Sequence, residues 1–199
     1  VNFAAESHVD KSIHSSNLFV DTNIKGTNNL LACCNDLIKK GDLPNNFRFI
    51  QVSTDEVYGS LSKTEPAFTE SSILKPTNPY SATKASADLI SMAYFKTHYF
   101  PVMITRCSNN FGPYQYPEKL IPLAINNILK DKNIPIYGNG QQIRDWIYVE
   151  DHCSGIKKVL EQGRLGQVYN FGGNSELTNL EIIKHIIQIM KPNENSNQR

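Results

Sequence analysis

The stretch FRFIQVSTDEVYG, Phe47–Gly59, decides the fold class of this chain. Its first seven residues form an apolar, β-rich run of the kind found in a buried strand. The run then breaks into Thr54, Asp55 and Glu56, so two adjacent carboxylates follow directly on the strand. A buried strand end is an unusual place for charge, because a carboxylate loses its hydration there. The stretch therefore predicts a buried strand with a functional cluster at its end.

Predicted helices and strands alternate around this stretch. The first 110 residues predict a buried strand at 1–5 (VNFAA), a long helix over about 10–40, the strand that begins at Phe47, a helix of about 20 residues at 78–99, and a strand at 101–108. A long polar loop with three prolines separates the second strand from the second helix. This alternation is typical of an α/β fold with a parallel sheet.

The pattern changes after Asn109. There we predict a helix at 121–129, two short strands around Gly138–Gly140, a helix at 151–162, a strand in QVYNFGG (167–173) and a helix at 179–190. We therefore predict two domains, a sheet domain over 1–110 and a smaller lobe over 111–199 that is interleaved with the sheet.

Composition excludes several classes of function. The 199 residues carry a net charge of +1, which gives no electrostatic case for nucleic acid or a membrane surface as the main partner. No apolar run approaches the roughly 20 residues that span a bilayer. The five histidines show no metal-binding spacing, so we expect no metal site. The cysteines predict free thiols in a reducing, cytoplasmic compartment; they are Cys33, Cys34, Cys107 and Cys153.

Three polar clusters fall at the ends of predicted strands. They are AAES (4–7), STDE (53–56) and RCSNN (106–110). Ligands of open α/β sheets bind beyond the carboxyl ends of the strands. The shared location favours one site over three unrelated clusters.

Tyr80 and Lys84 in YSATK form a further candidate pair. Residues i and i+4 lie on one face of a helix, and an ammonium beside a phenol favours the phenolate. We therefore predict that Lys84 lowers the pKa of Tyr80 and that Tyr80 acts as a base. The alternative is a surface tyrosine beside a solvated lysine, since a Y-x-x-x-K match often arises by chance. For Asp55 and Glu56 the alternative is stabilisation of a helix N-terminus.

Six motifs in order carry a resemblance to a known family: FAAESHVDKSI, STDEVYG, NPYSATKASAD, NNFGPYQYPEKLIP, PIYGNGQQIRDWIYVEDH and YNFGG. The chain resembles the extended short-chain dehydrogenase/reductase family, and within it the nucleotide-sugar dehydratases. This resemblance implies a Rossmann-like, doubly wound parallel sheet with a substrate-binding lobe. It also implies NAD as cofactor, a nucleotide sugar such as dTDP-glucose as substrate, and a homodimer formed through the helices at 10–40 and 78–99, with Ala85, Leu89 and Met92 as candidate contacts.

The resemblance implies a catalytic role for each residue of the two central motifs. Tyr80, steadied by Lys84 and aided by Thr54, would remove the proton of the sugar 4-hydroxyl while hydride leaves carbon 4. Glu56 would then remove the proton on carbon 5, and Asp55 would protonate the departing 6-hydroxyl. Two carboxylates in different surroundings can divide the roles of base and acid.

The resemblance also implies binding residues. Those of the cofactor site would be Phe3, Ala4, Ala5, Glu6, Ser7, Thr22, Tyr80, Lys84 and Asn110. Those of the substrate site would be Ser7, Thr54, Asn109, Lys119, Leu120, Pro135, Ile136, Tyr137, Arg144 and Asn179. Arg144 would hold the diphosphate; its alternative is an ion pair with Asp145 or Glu150. Leu120, Pro135 and Ile136 fit a plain core equally well.

Two parts of the family pattern are missing. No G-x-x-G-x-x-G loop and no acidic ribose-binding residue precede the first strand, and the late arginine segment is absent. We therefore expect a stretch of a longer protein with an unpaired sheet edge and an uncovered apolar face. The choice between dTDP and UDP stays open. So do three other functions: a UDP-sugar dehydratase, epimerase or decarboxylase; a non-catalytic nucleotide-binding relative; and an inert fragment.

Overall fold

The computed structural model describes residues 1–62, 64–136 and 138–192. It divides into two compact units. The first unit contains Val1–Cys107 and Ser154–Phe171, and the second contains Ser108–Cys153 and Gly172–Arg199. The segment 154–171, most of a helix followed by a strand, belongs to the first unit although it follows residue 110 in the chain.

The first unit is built on a parallel sheet. Its strands β1 (Phe49–Thr54), β2 (Val102–Cys107) and β5 (Val168–Phe171) lie in the order β1-β2-β5. Each neighbouring pair runs parallel, with Thr54 opposite Cys107. The predicted α/β fold with a parallel sheet is confirmed.

Helices cover both faces of this sheet. Phe49 and Ile50, adjacent on β1, point to opposite faces and join different core clusters. On one face Phe49 packs with Leu31 and Phe100, and on the other Ile50 packs with residues of the helix α6 (Val149–Gln162). The result is the doubly wound arrangement, with a helix layer on either side of the strands.

The predicted single helix over 10–40 is wrong, because the chain leaves the helical conformation at Ser15, where φ is −153°. The segment instead consists of α1 (Val9–His14), α2 (Asn17–Phe19), a π-helical segment (Val20–Gly26) and α3 (Thr27–Lys40). The predicted helix at 78–99 is confirmed as α4 (Pro79–His98). Asn78 caps its first turn in a capping box, and Pro79 occupies its first position.

Residues 1–5 do not form the predicted buried strand. Asn2 makes one parallel bridge to Gln51 of β1, while Val1 and Phe3 are more than half exposed. Within the described residues no strand pairs with the other edge of this segment, so its apolar side chains remain uncovered. Beside it lies an open groove of about 480 Å³, lined by Asn2, Ala4, Thr22, Gly26, Thr27, Asn29, Leu30 and Cys33.

The second unit has a small mixed sheet. Its strands β3 (Asn109–Phe111), β4 (Ile143–Tyr148) and β6 (Glu176–Thr178) lie in the order β3-β4-β6, the first pair parallel and the second antiparallel. Of the two strands predicted on either side of Gly138–Gly140, the second is confirmed as β4, whereas residues 134–136 before the glycines form no strand. Both glycines have positive φ and form a turn, and the strand begins only at Ile143.

Two helices form the core of the second unit. They are α5 (Leu120–Leu129) and α7 (Asn179–Met190), as predicted, and they pack together through Ile128, Ile183 and Ile187. The helix α6 begins in this unit at Val149, and its residues from Ser154 onward belong to the first unit. Among the residues that the structure describes, no helix combines the length and apolar character needed to cross a membrane.

Candidate active site

The cluster at the end of β1 arises from a strand that turns directly into a short helix. Thr54 is still extended, and its Oγ1 accepts a hydrogen bond from the Glu56 amide at 3.3 Å. This bond caps a 3₁₀ turn over Asp55–Tyr58, whose first two residues are the carboxylates. Asp55 and Glu56 are both only partly buried. The capping alternative is therefore partly met: Thr54 is the cap, and the two acids occupy the turn that it begins.

The two carboxylates have different surroundings. The Thr54 hydroxyl donates to Asp55 Oδ1 at 3.2 Å. Glu56 Oε2 accepts from the Asn78 side-chain amide at 3.3 Å, while Asn78 Oδ1 accepts from the Ser81 amide at the start of α4. Asn78 therefore ties Glu56 to the helix that carries Tyr80. Asn78 was not predicted as a site residue, although an Asn-Pro pair at a helix start is a visible signal in the sequence.

Tyr80 lies in the first turn of α4 and is only 9% exposed. Its backbone amide donates to the Ser12 hydroxyl at 3.1 Å, which fixes the start of the helix against α1. Burial raises the pKa of the Tyr80 phenol, and the Glu56 charge raises it further. Cys107 and Asp55 raise the pKa of Tyr80 as well, while hydrogen bonding with Thr54 lowers it. The Tyr80 phenol therefore interacts with the Thr54 hydroxyl and lies close enough to Asp55 and Glu56 for their charges to act on it.

Lys84 lies one turn further along α4 and is 5% exposed. Its Nζ donates to the Val52 carbonyl of β1 at 2.7 Å. Burial lowers the pKa of Lys84, against the effects of Asp88 and Cys107. The structure gives the opposite direction from the predicted lowering of the pKa of Tyr80, because burial and nearby acids dominate there and the ammonium is bound to Val52.

Asn23, which sequence reasoning missed, joins the first polar cluster to α4. Its Oδ1 accepts from the Glu6 amide at 2.9 Å, and its Nδ2 donates to the Glu6 carbonyl at 3.0 Å and to Thr83 Oγ1 at 2.9 Å. Asn23 is fully buried within the π-helical segment, a conformation that often marks functional sites. The residues that were predicted for the cofactor wall are exposed or half-buried; they are Phe3, Ala4, Ala5, Glu6, Ser7 and Thr22.

We expect the substitution Asn23→Leu to lower the free energy of unfolding by about 2 kcal/mol, because it removes three hydrogen bonds and leaves buried polar partners unpaired. Urea denaturation followed by circular dichroism measures this change. Asn28→Leu, at an exposed position of α3, is the matched control and is expected to change stability little. Equal stability of the two variants would contradict the role assigned to Asn23.

Asn109 and Asn110 lie on β3 in the second unit. Asn110 Oδ1 is 2.9 Å from His152 Nδ1, and the Asn110 carbonyl accepts from the Gln115 side-chain amide at 2.9 Å. Burial lowers the pKa of His152, which favours its neutral form. The Asn110 side chain is thus oriented by a buried histidine that the sequence analysis did not select.

Arg144 is exposed on β4 and donates to the Ile143 carbonyl at 3.3 Å. No carboxylate of the described ranges forms an ion pair with it, so its alternative assignment, an ion pair with Asp145 or Glu150, is wrong. Asp145 instead accepts from the backbone amides of Gly173 and Ser175.

The remaining predicted substrate residues also belong to the second unit. Leu120 packs against the α5–α7 core, which supports its alternative assignment as a core residue. Pro135 and Ile136 are exposed, so a core assignment does not fit them. Lys119 and Asn179, both half-buried, lie at the starts of α5 and α7. Tyr137 lies outside the described residues.

The doubly wound parallel sheet carries Thr54, Asp55 and Glu56 at a strand end and a buried Tyr80-Lys84 pair on the next helix. These features are those of an extended short-chain dehydrogenase/reductase. The chain belongs to the GDP-mannose 4,6 dehydratase family, whose profile matches residues 1–199.

Individual relatives agree with this assignment. The dTDP-glucose 4,6-dehydratase of Haemophilus influenzae is 51% identical over 193 residues, 96% of this chain and 57% of that protein. The crystal structure of DesIV, a dTDP-glucose 4,6-dehydratase from Streptomyces venezuelae with NAD and TYD bound, is 47% identical with a TM-score of 0.88. That match covers 94% of this chain and 56% of DesIV.

An enzyme with a different reaction is also similar. The UDP-glucuronic acid 4-epimerase of Bacillus cereus, solved with UDP-glucuronic acid and NAD, is 31% identical with a TM-score of 0.86. The match covers 96% of this chain and 58% of the epimerase. The chain thus spans between 56% and 58% of the length of these three relatives.

Proposed function

We propose that this chain carries the catalytic centre of a dTDP-glucose 4,6-dehydratase, a hydro-lyase that uses NAD and restores it in each turnover. The observation that carries the proposal is the grouping of the Tyr80 phenol with Thr54, Asp55 and Glu56 at the end of β1. Oxidation at carbon 4 requires the phenol, whereas loss of water requires an acid and a base. The relatives named dTDP-glucose 4,6-dehydratase support the choice of substrate.

The residues present fit the nicotinamide half of NAD. Ala4 and Ala5 present small side chains that leave room for a flat ring, and Lys84 supplies an ammonium group suited to ribose hydroxyls. The other residues proposed to hold the cofactor are Phe3, Glu6, Ser7 and Thr22 in the first unit and Asn110 in the second. When bound, NAD takes up a hydride from carbon 4 of the sugar and returns it to carbon 6.

Tyr80 is the proposed base for the sugar 4-hydroxyl. In the structure, burial and the nearby acids raise the pKa of Tyr80, so the phenol needs added positive charge before it ionises. Lys84 would supply part of that positive charge, and oxidised NAD, when bound, would supply the rest. Thr54 interacts with the Tyr80 phenol and is proposed to orient the sugar 4-hydroxyl as well.

Glu56 and Asp55 divide the elimination between them. Once carbon 4 is a ketone, the proton on carbon 5 is acidic enough for a carboxylate, and Glu56 removes it. Glu56 accepts a hydrogen bond from the Asn78 side-chain amide, which holds its carboxylate in position. Asp55, which accepts a bond from Thr54, delivers a proton to the departing 6-hydroxyl. The elimination thus releases one water molecule and forms a double bond between carbons 5 and 6. Carbon 5 takes up a proton again when hydride returns to carbon 6.

The second unit is proposed to bind the nucleotide sugar. Arg144 suits the diphosphate, because its exposed guanidinium engages no carboxylate among the described residues and can form bidentate bonds. The other residues proposed for the substrate in this unit are Asn109, Lys119, Leu120, Pro135, Ile136, Tyr137 and Asn179, and those proposed in the first unit are Ser7 and Thr54.

A homodimer and a cytoplasmic location complete the proposal. Leu89 of α4 is 62% exposed and Leu30 of α3 is 43% exposed, which supports pairing of these helices with a second copy. Ala85 does not serve this purpose, since it is buried in the chain's own core, and Met92 is half-buried. The free thiols of the described cysteines support a reducing compartment.

Mass spectrometry of the nucleotide sugar tests the proposal directly. We expect full-length protein supplied with NAD to convert dTDP-glucose to a product lighter by one water. An unchanged mass with a new sugar epimer would favour the epimerase alternative, and loss of carbon dioxide from a UDP-sugar acid would favour a decarboxylase. No turnover despite NAD binding would favour a non-catalytic relative.

A further inference from the structure

A buried charged network lies behind the catalytic helix in the first unit. Arg106 of β2 donates from Nε to Asp88 Oδ2 of α4 at 2.9 Å, and both side chains are at least 95% buried. Arg106 also donates from Nη1 to the Tyr58 hydroxyl at 2.8 Å and lies over the Tyr58 ring at 4.8 Å. The Tyr58 hydroxyl in turn donates to Asn170 of β5 at 2.8 Å. The network thus joins α4 to the turn after β1 and to two neighbouring strands.

Asp88 belongs to the same helix face as the catalytic pair. Tyr80, Lys84 and Asp88 follow one another at four-residue intervals, so their side chains lie along one face of α4. The described groups that act electrostatically on Lys84 are Asp88 on its own helix and Cys107 on β2. From β1 the contact is the Val52 carbonyl, which accepts from Lys84 Nζ. Asp88 is therefore the carboxylate that acts on the Lys84 ammonium.

Stability alone does not account for this pair. A buried Arg–Asp pair contributes little or nothing compared with apolar side chains of the same volume, because both ions lose their hydration. Asp88 Oδ1 makes no regular hydrogen bond among the described residues, and the Ser53 hydroxyl of β1 is the neutral polar group that acts on Asp88. Lys84 on the same helix face forms no direct ion pair with Asp88, so the two charges act on each other over a longer distance inside the buried core.

We propose that Asp88 and Arg106 are positioning residues of the active site: Asp88 is the counter-charge of the Lys84 ammonium one turn away on the same helix face, and Arg106 holds the Asp88 side chain in place. The proposal rests on the proposed function only in assigning Lys84 its catalytic task. Asp88 and Arg106 touch neither substrate nor cofactor in this scheme, and they act through Lys84.

The first test needs no turnover. The full-length protein is labelled with ¹³C at lysine Cε, and the Lys84 resonance is identified by its loss in Lys84→Arg. We expect Asp88→Asn to lower the pH midpoint of the Lys84 resonance by about one unit or more, because a nearby carboxylate stabilises a buried ammonium. The matched control is Asp21→Asn, which removes the exposed ion-pair partner of Lys25. Because solvent screens that pair, we expect only a small change in the pH midpoint of the Lys25 resonance.

The second test uses the pH profile of kcat with dTDP-glucose. If Asp88 acts through Lys84, Asp88→Asn lowers kcat by about tenfold or more and leaves KM within about threefold. It moves the acidic limb to higher pH, since a less charged Lys84 makes Tyr80 harder to ionise, and Asp88→Glu restores the profile. In a Lys84→Met background, Asp88→Asn produces no further shift of the profile.

A folding defect is separated by a charge-balanced variant. Asp88→Asn alone leaves Arg106 buried without its partner, so Asp88→Asn combined with Arg106→Gln removes both charges together. If Lys84 in this double variant titrates at the lower midpoint while the protein stays folded, the proposal holds. An unchanged Lys84 midpoint in both variants would overturn it. A wild type without dehydratase activity would overturn the proposed function instead and would leave the titration result intact.

Discussion

Replacing Tyr80 with phenylalanine is expected to lower the kcat of the proposed dTDP-glucose dehydration by about 10³-fold or more, close to the full contribution of general acid–base catalysis. The substitution removes only the hydroxyl, and the ring stays in its 9% exposed site. The backbone bond from the Tyr80 amide to Ser12 is unaffected. Because the lost group takes the first proton, neither reduced nicotinamide nor product accumulates. Single-turnover absorbance of the reduced nicotinamide measures the defect.

Tyr94→Phe is the matched control for this variant. Tyr94 lies on the same helix and packs on the core cluster of Phe49 and Phe100, away from the carboxylates. We expect its kcat within about twofold of wild type, since it takes no part in the proton transfers. Near-normal turnover of Tyr80→Phe would mean that another group removes the 4-hydroxyl proton.

Replacing Glu56 with glutamine is expected to stop the reaction at a later stage. The amide keeps the shape of the side chain and its place beside Asn78 but cannot accept the proton from carbon 5. We expect the first oxidation to proceed, the 4-keto sugar to accumulate with reduced nicotinamide, and product formation to fall by about 10²-fold or more. Rapid-quench mass spectrometry separates the two stages.

Glu65→Gln provides the control for the loss of one carboxylate. Glu65 lies on the exposed loop after the 3₁₀ turn, where its carboxylate accepts from the Ser62 amide. That variant is expected to form product at the wild-type rate. If Glu56→Gln instead blocked oxidation itself, the charge of Glu56 would serve the Tyr80 step and not the elimination.

The strands β1 and β2 and the helix α4 of the first unit were predictable, because their apolar pattern is strong and their ends carry clear signals, whereas the helix predicted over 10–40 is interrupted at Ser15. Asn78 and Pro79 mark the start of α4, and Thr54 marks the turn after β1. Residues 1–5 carry an equally apolar pattern, yet a strand forms only when hydrogen-bond partners are present, and a sequence pattern does not report them. The strands β3 and β6 escaped prediction because each has only three residues.

The sequence indicated that Tyr80, Lys84, Asp55 and Glu56 lie at a helix start and a strand end, but not how their side chains are arranged. The four-residue spacing placed Tyr80 and Lys84 on one helix face, and the strand end placed Asp55 and Glu56 near the same edge. The direction of the pKa of Tyr80 was not predictable, because it depends on burial and on Glu56, which lies 24 positions earlier in the sequence. Asn23 and Asp88 were missed for the same reason: their partners, Glu6 and Arg106, are remote in the sequence.

One measurement tests the central claim most directly: the mass of the nucleotide sugar formed from dTDP-glucose in D₂O by the full-length protein with NAD. If Glu56 removes the carbon 5 proton and solvent later replaces it, the product loses one water and gains one deuterium. The deuterium lies at carbon 5, while the hydrogen transferred to carbon 6 comes from carbon 4 of the substrate and remains protium. A product of unchanged mass, or one that loses water without taking up deuterium at carbon 5, would contradict the role assigned to the carboxylates at the end of β1.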